Sequence, residues 1–180
     1  MSKPCYRAVA FALVLTASAA QADNVNVSIT GTVQLPTCTI NGGKTIEMNF
    51  GNLPVNDLSS GLYQQTRQVS VYCPYTNSVP FVRIVGSALS GTPRNNVLAS
   101  SVSNFGIALY QGSDQSKPML LGNGITINGI GMGYVLSQGF TENGNGNAVL
   151  TFMAVPWAAA STVLKAGRFS ATATMSVNYL

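Results

Sequence analysis

The chain contains no histidine, and only 8% of its 180 residues are charged. Without histidine there is no Ser-His-Asp or Cys-His nucleophile system, and the commonest zinc sites are excluded. The carboxylates are also few: Asp23, Glu47, Asp57, Asp114 and Glu142 are scattered, and no two are close in sequence. They offer no sequence-local pair for glycosidase-type acid and base work. No motif accompanies any Ser-Lys combination. The basic residues Lys44, Arg67, Arg83, Arg94, Lys117, Lys165 and Arg168 form no cluster, so nucleic-acid binding has no support. After the first two dozen residues no apolar run is long enough to span a membrane. Sustained helical periodicity is absent from the same region. Gly129-x-Gly131-x-Gly133 lacks the third glycine at dinucleotide-fold spacing and a following helix, so it reads as a flexible β connection or bulge.

What is present begins with an export signal. Lys3 and Arg7 make a positive start, Ala8 to Ala20 is a short apolar run, and Ala20-Gln21-Ala22 fits a small-x-small cleavage pattern. Residues 1–22 are therefore expected to be removed, with Cys5 among them. About 158 residues remain, which is one domain by length and enough for a single core. Seven Lys and Arg then face five Asp and Glu, a net charge of +2. Two cysteines remain, Cys38 and Cys73. In an exported chain an even pair reads as a disulfide, the alternative being two separate buried thiols.

Alternation of apolar and polar residues marks the strands. Ile46, Met48 and Phe50 form one face of a segment at Thr45–Phe50. Val69, Val71 and Cys73 do the same at Gln68–Cys73. Val79–Val85 and Phe105–Tyr110 follow. Ala148–Trp157 sets Leu150, Phe152 and Ala154 against Val149, Thr151, Met153 and Val155. Gly51–Gly61 and Gly86–Asn96 read as loops, and Thr141–Asn147 as a polar run. Seven or so short strands separated by turn residues predict an all-β sandwich.

The two ends are the unusual part. From Gly167 to Leu180, Phe169, Ala171, Ala173, Met175, Val177 and Tyr179 alternate with five polar residues, a half-buried strand with nothing after it to pair as a hairpin. Near the start, Val25, Val27, Ile29, Gly31, Val33 and Leu35 alternate with Asn, Ser, Thr and Gln. An unpaired strand at a sheet edge is an aggregation hazard, which a partner chain could cover. Two weaker signals have bland explanations. Asn26-Val27-Ser28 matches a glycosylation sequon but is already accounted for by the strand. Tyr72, Tyr75, Phe81 and Trp157 could line a sugar site, although sandwich aromatics more often fill cores.

Together these residues resemble the chaperone–usher pilus subunits. The shared features are the export signal, the alternating N-terminal extension with one glycine, the Cys38 and Cys73 pair, Gly167 fourteen residues from the end counted inclusively, and the penultimate Tyr179. Pro36-Thr37-Cys38-Thr39-Ile40-Asn41, Cys73-Pro74-Tyr75, Asn95-Asn96-Val97-Leu98-Ala99 and Phe105 to Gly112 narrow the resemblance to the minor tip-adaptor pilins of P-type pili. It implies an incomplete immunoglobulin-like sandwich lacking its last strand, completed by a donor strand from another chain. It implies 23–37 as the donor extension and 38–180 as the pilin domain. Val25, Val27, Ile29, Gly31, Val33 and Leu35 would be the donor strand. Gly167, Phe169, Ala171, Ala173, Met175, Val177, Tyr179 and Leu180 would form the acceptor-groove and chaperone-binding strand. The implied partners are a periplasmic pilus chaperone, an outer-membrane usher, an adhesin and adjacent pilus subunits, with no cofactor or metal. The implied location is the pilus tip, reached through the periplasm. The function would be structural, an adaptor joining the adhesin to the tip fibrillum, rather than enzymatic. Another fimbrial position, tip fibrillum or shaft, and an autonomous glycan-binding module that folds its own extension back are the alternatives.

Overall fold

The computed structural model describes residues 25–31, 33, 36–76, 78–158 and 163–179, without the side chains of Ser59 and Ser60. The expected signal, residues 1–22, and the expected site residues Leu35 and Leu180 lie outside this set. The chain divides into two units, Met1–Val33 and Gln34–Leu180. In the first, none of the described residues is in a strand. Val25, Val27, Ile29 and Val33 are 79–99% exposed there.

The second unit contains ten strands and two short 3-10 turns among its described residues, and no α-helix. The longest strand organises the first sheet. It is β9, Asn147–Ala158. Along one side of β9 runs β2, Gln65–Tyr72, pairing from Gln65↔Ala154 to Tyr72↔Asn147. The other side is shared. β5, Phe105–Gln111, covers the far half, and β8, Phe140–Gly144, covers the near half. The sheet ends in β1, Thr39–Ile40, beside β2, and β4, Val97–Ala99, beside β5. Pro156 lies in β9 beyond the last residue paired with β2, where the strand has a neighbour on one side only, the position a proline tolerates.

The second sheet has the order β10-β3-β7-β6. Its members are β3, Pro80–Gly86; β6, Ile125–Ile127; β7, Ile130–Val135; and β10, Ala173–Tyr179. The core lies between the two sheets. Val69, Val71, Leu150, Phe152 and Leu109 enter it from the first; Val82, Ile84, Val177 and Tyr179 enter from the second. β5 is buried along its whole length because its other face meets a smaller cluster of Leu89, Val97, Met153 and Val155. That double burial explains its near-continuous apolar sequence.

The expected disulfide is present. Cys38 and Cys73 are joined at 2.05 Å, fastening the residues that flank the β1–β2 pair. Gln111 is a polar side chain in the core, only 5% exposed. Its Nε2 donates to the Val135 carbonyl at 3.1 Å, and its Oε1 accepts from the Ser137 and Gln138 amides at 2.9 and 3.2 Å. A buried polar group so satisfied ties β5 to the chain leaving β7 without a desolvation penalty.

Three expectations need correction. Thr45–Phe50 keeps Ile46, Met48 and Phe50 half-buried as the alternation requires, but it joins no ladder. The C-terminal strand is shorter than Gly167–Leu180. Ala173 already pairs with Gly86, the end of β3, so the residues before it have no strand alongside. The Gly129–Gly133 region and the polar run after it are not mere connections. They supply β7 and β8, whose hairpin turns are Asn128-Gly129 (φ +50° and +81°) and Asn145-Gly146 (φ +51° and +76°). Asn-Gly at positive φ is the turn that matches strand twist. The bulge expected here does exist, as a register shift between Ile125 and Thr126.

Candidate functional site: an open-edged sandwich

β10 pairs with β3 along all seven of its residues. Its other edge pairs with no strand among the described residues. The row of backbone groups on that side is available to another strand. β10 turns Met175, Val177 and Tyr179 toward the core, and Phe169 and Ala171 continue the same face before the ladder begins.

A second segment borders the same core. In residues 44–53, Ile46, Met48, Phe50 and Leu53 pack against the main cluster yet stay half-exposed. The Gln65 side chain holds this segment by donating to the Asn49 carbonyl at 2.5 Å. The rings of Phe50 and Phe169, one from each segment, have centroids 6.3 Å apart. Phe169 also meets Phe105 edge-on at 4.8 Å. Beside them is a pocket of about 110 Å³, lined by Leu53, Leu58, Val102, Phe105, Leu164 and Phe169 with Lys165 at its side. The approach to β10 is pinned by two bonds. Ser101 N–H donates to the Ser170 carbonyl at 2.9 Å, and Ser170 N–H donates to Ser101 Oγ at 3.1 Å.

The far end of β10 is held differently. Tyr179 is only 6% exposed, and its hydroxyl donates to Glu142 Oε1 at 2.6 Å. Its ring stands edge-on to Phe140 at 6.3 Å. Both partners belong to β8, so this contact clips the second sheet to the first. It also accounts for tyrosine rather than phenylalanine at the penultimate position. Burial pushes the Tyr179 hydroxyl well above its ordinary pKa, and the hydrogen bond to Glu142 and its negative charge push it the same way. A raised folded-state value means the protonated form stabilises the fold below the unfolded value of about 10, and that contribution is lost as pH rises above it. Tyr179→Phe is expected to cost about 1 kcal/mol near neutrality. It should also blunt the loss of stability above pH ~10. Denaturant midpoints of both forms across pH 7–11 check this; parallel curves would show the hydrogen bond to be unimportant.

The other sequence candidates disperse. Gly167 and Gly31 have nothing within 4 Å of an added Cβ, so no requirement for glycine arises within this chain. Ala173 is exposed at the start of β10. Tyr72, on β2, pairs with Asn147 at one end of β9, and Trp157 stands near the other end, ten residues away by register. That is roughly 33 Å at strand rise, and Phe81 is buried in the other sheet, so the four aromatics form no common sugar platform. Asp114 accepts from the Ser116 amide and from Gln138 Nε2 at 2.8 and 3.0 Å. Its pKa is lowered chiefly by the hydrogen bonds from Ser116. Among the described residues no three His, Cys, Asp or Glu side chains gather as a metal site, and no helix is long and apolar enough to cross a membrane. Nothing local in the sequence announces the Glu142–Tyr179 contact, because 37 residues separate the pair.

An all-β sandwich with a one-sided C-terminal edge and a disulfide just after an exposed, strand-patterned N-terminal stretch defines a class, the strand-sharing fibre subunits. The family model described as fimbrial protein matches residues 27–180, and the chain belongs to that family. It is 38% identical over 167 residues to the fimbrial adapter PapF of Escherichia coli, covering 93% of this chain and 94% of that one. The minor fimbrial protein PrsF of Escherichia coli is similar at 38% over 167 residues, with the same coverage. Among solved structures, the P pilus adaptor subunit PapF superposes with a TM-score of 0.56 at 31% identity, covering 82% of this chain and 98% of that chain. The P pilus rod subunit PapA, at 17% identity and a TM-score of 0.59, shares the fold over 81% of this chain and all of its own.

Proposed function

We propose that this chain is a minor pilin of a chaperone–usher pilus, an adaptor that joins the adhesin to the rest of the tip by exchanging strands. The observation that carries the mechanism is the one-sided edge of β10, bordered by half-buried apolar side chains. The 38% identity to a fimbrial adapter over nearly the whole chain supports the adaptor position. In this reading a neighbouring subunit's extension enters along β10, facing Phe169, Ala171, Ala173, Met175, Val177 and Tyr179, with Gly167 and Leu180 at the ends of that wall. This chain's own Val25, Val27, Ile29, Gly31, Val33 and Leu35 enter the groove of the adhesin's pilin domain. Residues 23–37 thus serve as the extension and 38–180 as the pilin domain, with 1–22 removed on export. A periplasmic chaperone occupies the groove first, and an outer-membrane usher exchanges it for the next subunit. The subunit reaches the cell surface at the pilus tip, and its work is mechanical rather than enzymatic.

The test is expression in the periplasm with and without a pilus chaperone. The expected result is recovery as a one-to-one complex with the chaperone and loss to aggregation or proteolysis without it. A stable, soluble monomer obtained alone would mean that the chain completes its own sandwich.

A further inference from the structure

One end of the sandwich gathers three features. The extension enters the domain there, because Cys38 is bonded to Cys73 and Thr39 pairs with Tyr72. β10 finishes there, because Tyr179 pairs with Pro80. The connection between those points, residues 73–79, carries no charged residue. Three large side chains in and beside it face solvent: Tyr72 at 50%, Tyr75 at 56% and Val79 at 51%. Tyr72 and Tyr75 lie within two residues of the disulfide-bonded Cys73, and Val79 precedes Pro80, the partner of Tyr179.

The length of the extension says what covers them. Leu35 is followed by Pro36 and Thr37 before the disulfide-bound Cys38. Three residue steps reach at most about 11 Å. A subunit holding Val25–Leu35 in its groove must therefore bring its own surface within that distance of Cys38, and so against residues 72–79. We propose that Tyr72, Tyr75 and Val79 form a second contact, made with the body of the subunit that accepts this chain's extension, and that this contact stiffens the joint. The inference rests on the donor-strand reading above. The face suits such a partner: aromatic and apolar side chains are the usual anchors of protein interfaces, and no charge need be desolvated.

The experiment uses the whole chain joined to an acceptor subunit. A photo-crosslinking amino acid replaces Tyr75, or Thr126 on exposed β6 as the control. The expected result is a crosslink to the acceptor from position 75 and none from 126. In parallel, the triple variant Tyr72→Ser, Tyr75→Ser, Val79→Ser is compared with the unaltered chain and with a synthetic peptide of residues 23–37. The variant should still join, but its pair should dissociate in denaturant at least about tenfold faster, approaching the peptide. A pair that forms normally with no crosslink from 75, or with an unchanged dissociation rate, overturns the contact while leaving strand donation intact. A crosslink to the chaperone alone assigns the face to that protein and also overturns it. If neither chain nor peptide joins any acceptor, the donor-strand reading falls, and this inference with it.

Discussion

Deleting residues 23–35 is expected to abolish joining to the adhesin while leaving capture by the chaperone at the level of the full chain. The four described apolar residues of this segment, Val25, Val27, Ile29 and Val33, are 79–99% exposed, so they contribute almost nothing to the chain's own core. Buried in a neighbour's groove, each would contribute about 1.5–3 kcal/mol, or roughly 6–12 kcal/mol together before the costs of association. Losing even the lower figure weakens an association by about four orders of magnitude. The acceptor edge belongs to the other unit of the chain, Gln34–Leu180, and keeps its strand pairing without the deleted residues. The two functions should therefore separate cleanly. Pull-down of the adhesin from periplasm, beside pull-down of the chaperone, measures both. Adhesin joined at normal yield by the deleted chain would show that the segment is not the donor.

Removing the disulfide should have the second largest effect. Cys38 and Cys73 are separated by 35 residues. Chain-entropy reasoning for a loop of that length gives about 3.8 kcal/mol. A domain of this size has a total stability of roughly 5–15 kcal/mol, so the bond is a large share of it. Cys38→Ser is therefore expected to lower the denaturant midpoint of the chaperone-free, strand-complemented subunit sharply and to reduce its periplasmic yield. Reducing the unaltered chain should reproduce the shift. The bond also has a local role, since it holds the root of the extension against residues 73–79. Equal midpoints for oxidised and reduced chains would mean that the β1–β2 pair and the packing around Cys73 hold without it.

Two unpaired segments show how far pattern reading reaches. The alternation puts Ile46, Met48 and Phe50 on an inward face, and they are half-buried against the core. The same alternation suggested a strand, yet the segment has no ladder, because alternation records which way side chains point and carries no information on what lies beside the backbone. Phe169 and Ala171 continue the face of β10 in the same manner, but β3 ends at Gly86 and offers them nothing to pair with. β6 to β8 were hidden for the opposite reason. β6 is only three residues long, β7 is glycine-rich and β8 largely polar, so alternation is short or weak and the pairing is set by turn geometry at Asn128-Gly129 and Asn145-Gly146. Those two dipeptides are strong hairpin signals and could have revealed the strands.

By itself the sequence determined the all-β class, the strands β2, β3, β5 and β9, the pairing of Cys38 with Cys73 and the strand-like character of both ends. Each of these follows from composition or from the two-residue period of a strand, which is local. Only the tertiary structure decided that β10 is an edge, that its last tyrosine is clasped by Glu142 on the opposite sheet, and that Tyr72 on β2 and Trp157 on β9 lie far apart. Those facts depend on which segments become neighbours. That choice is made by burying one shared core and satisfying backbone hydrogen bonds across tens of residues, which no short window of sequence contains.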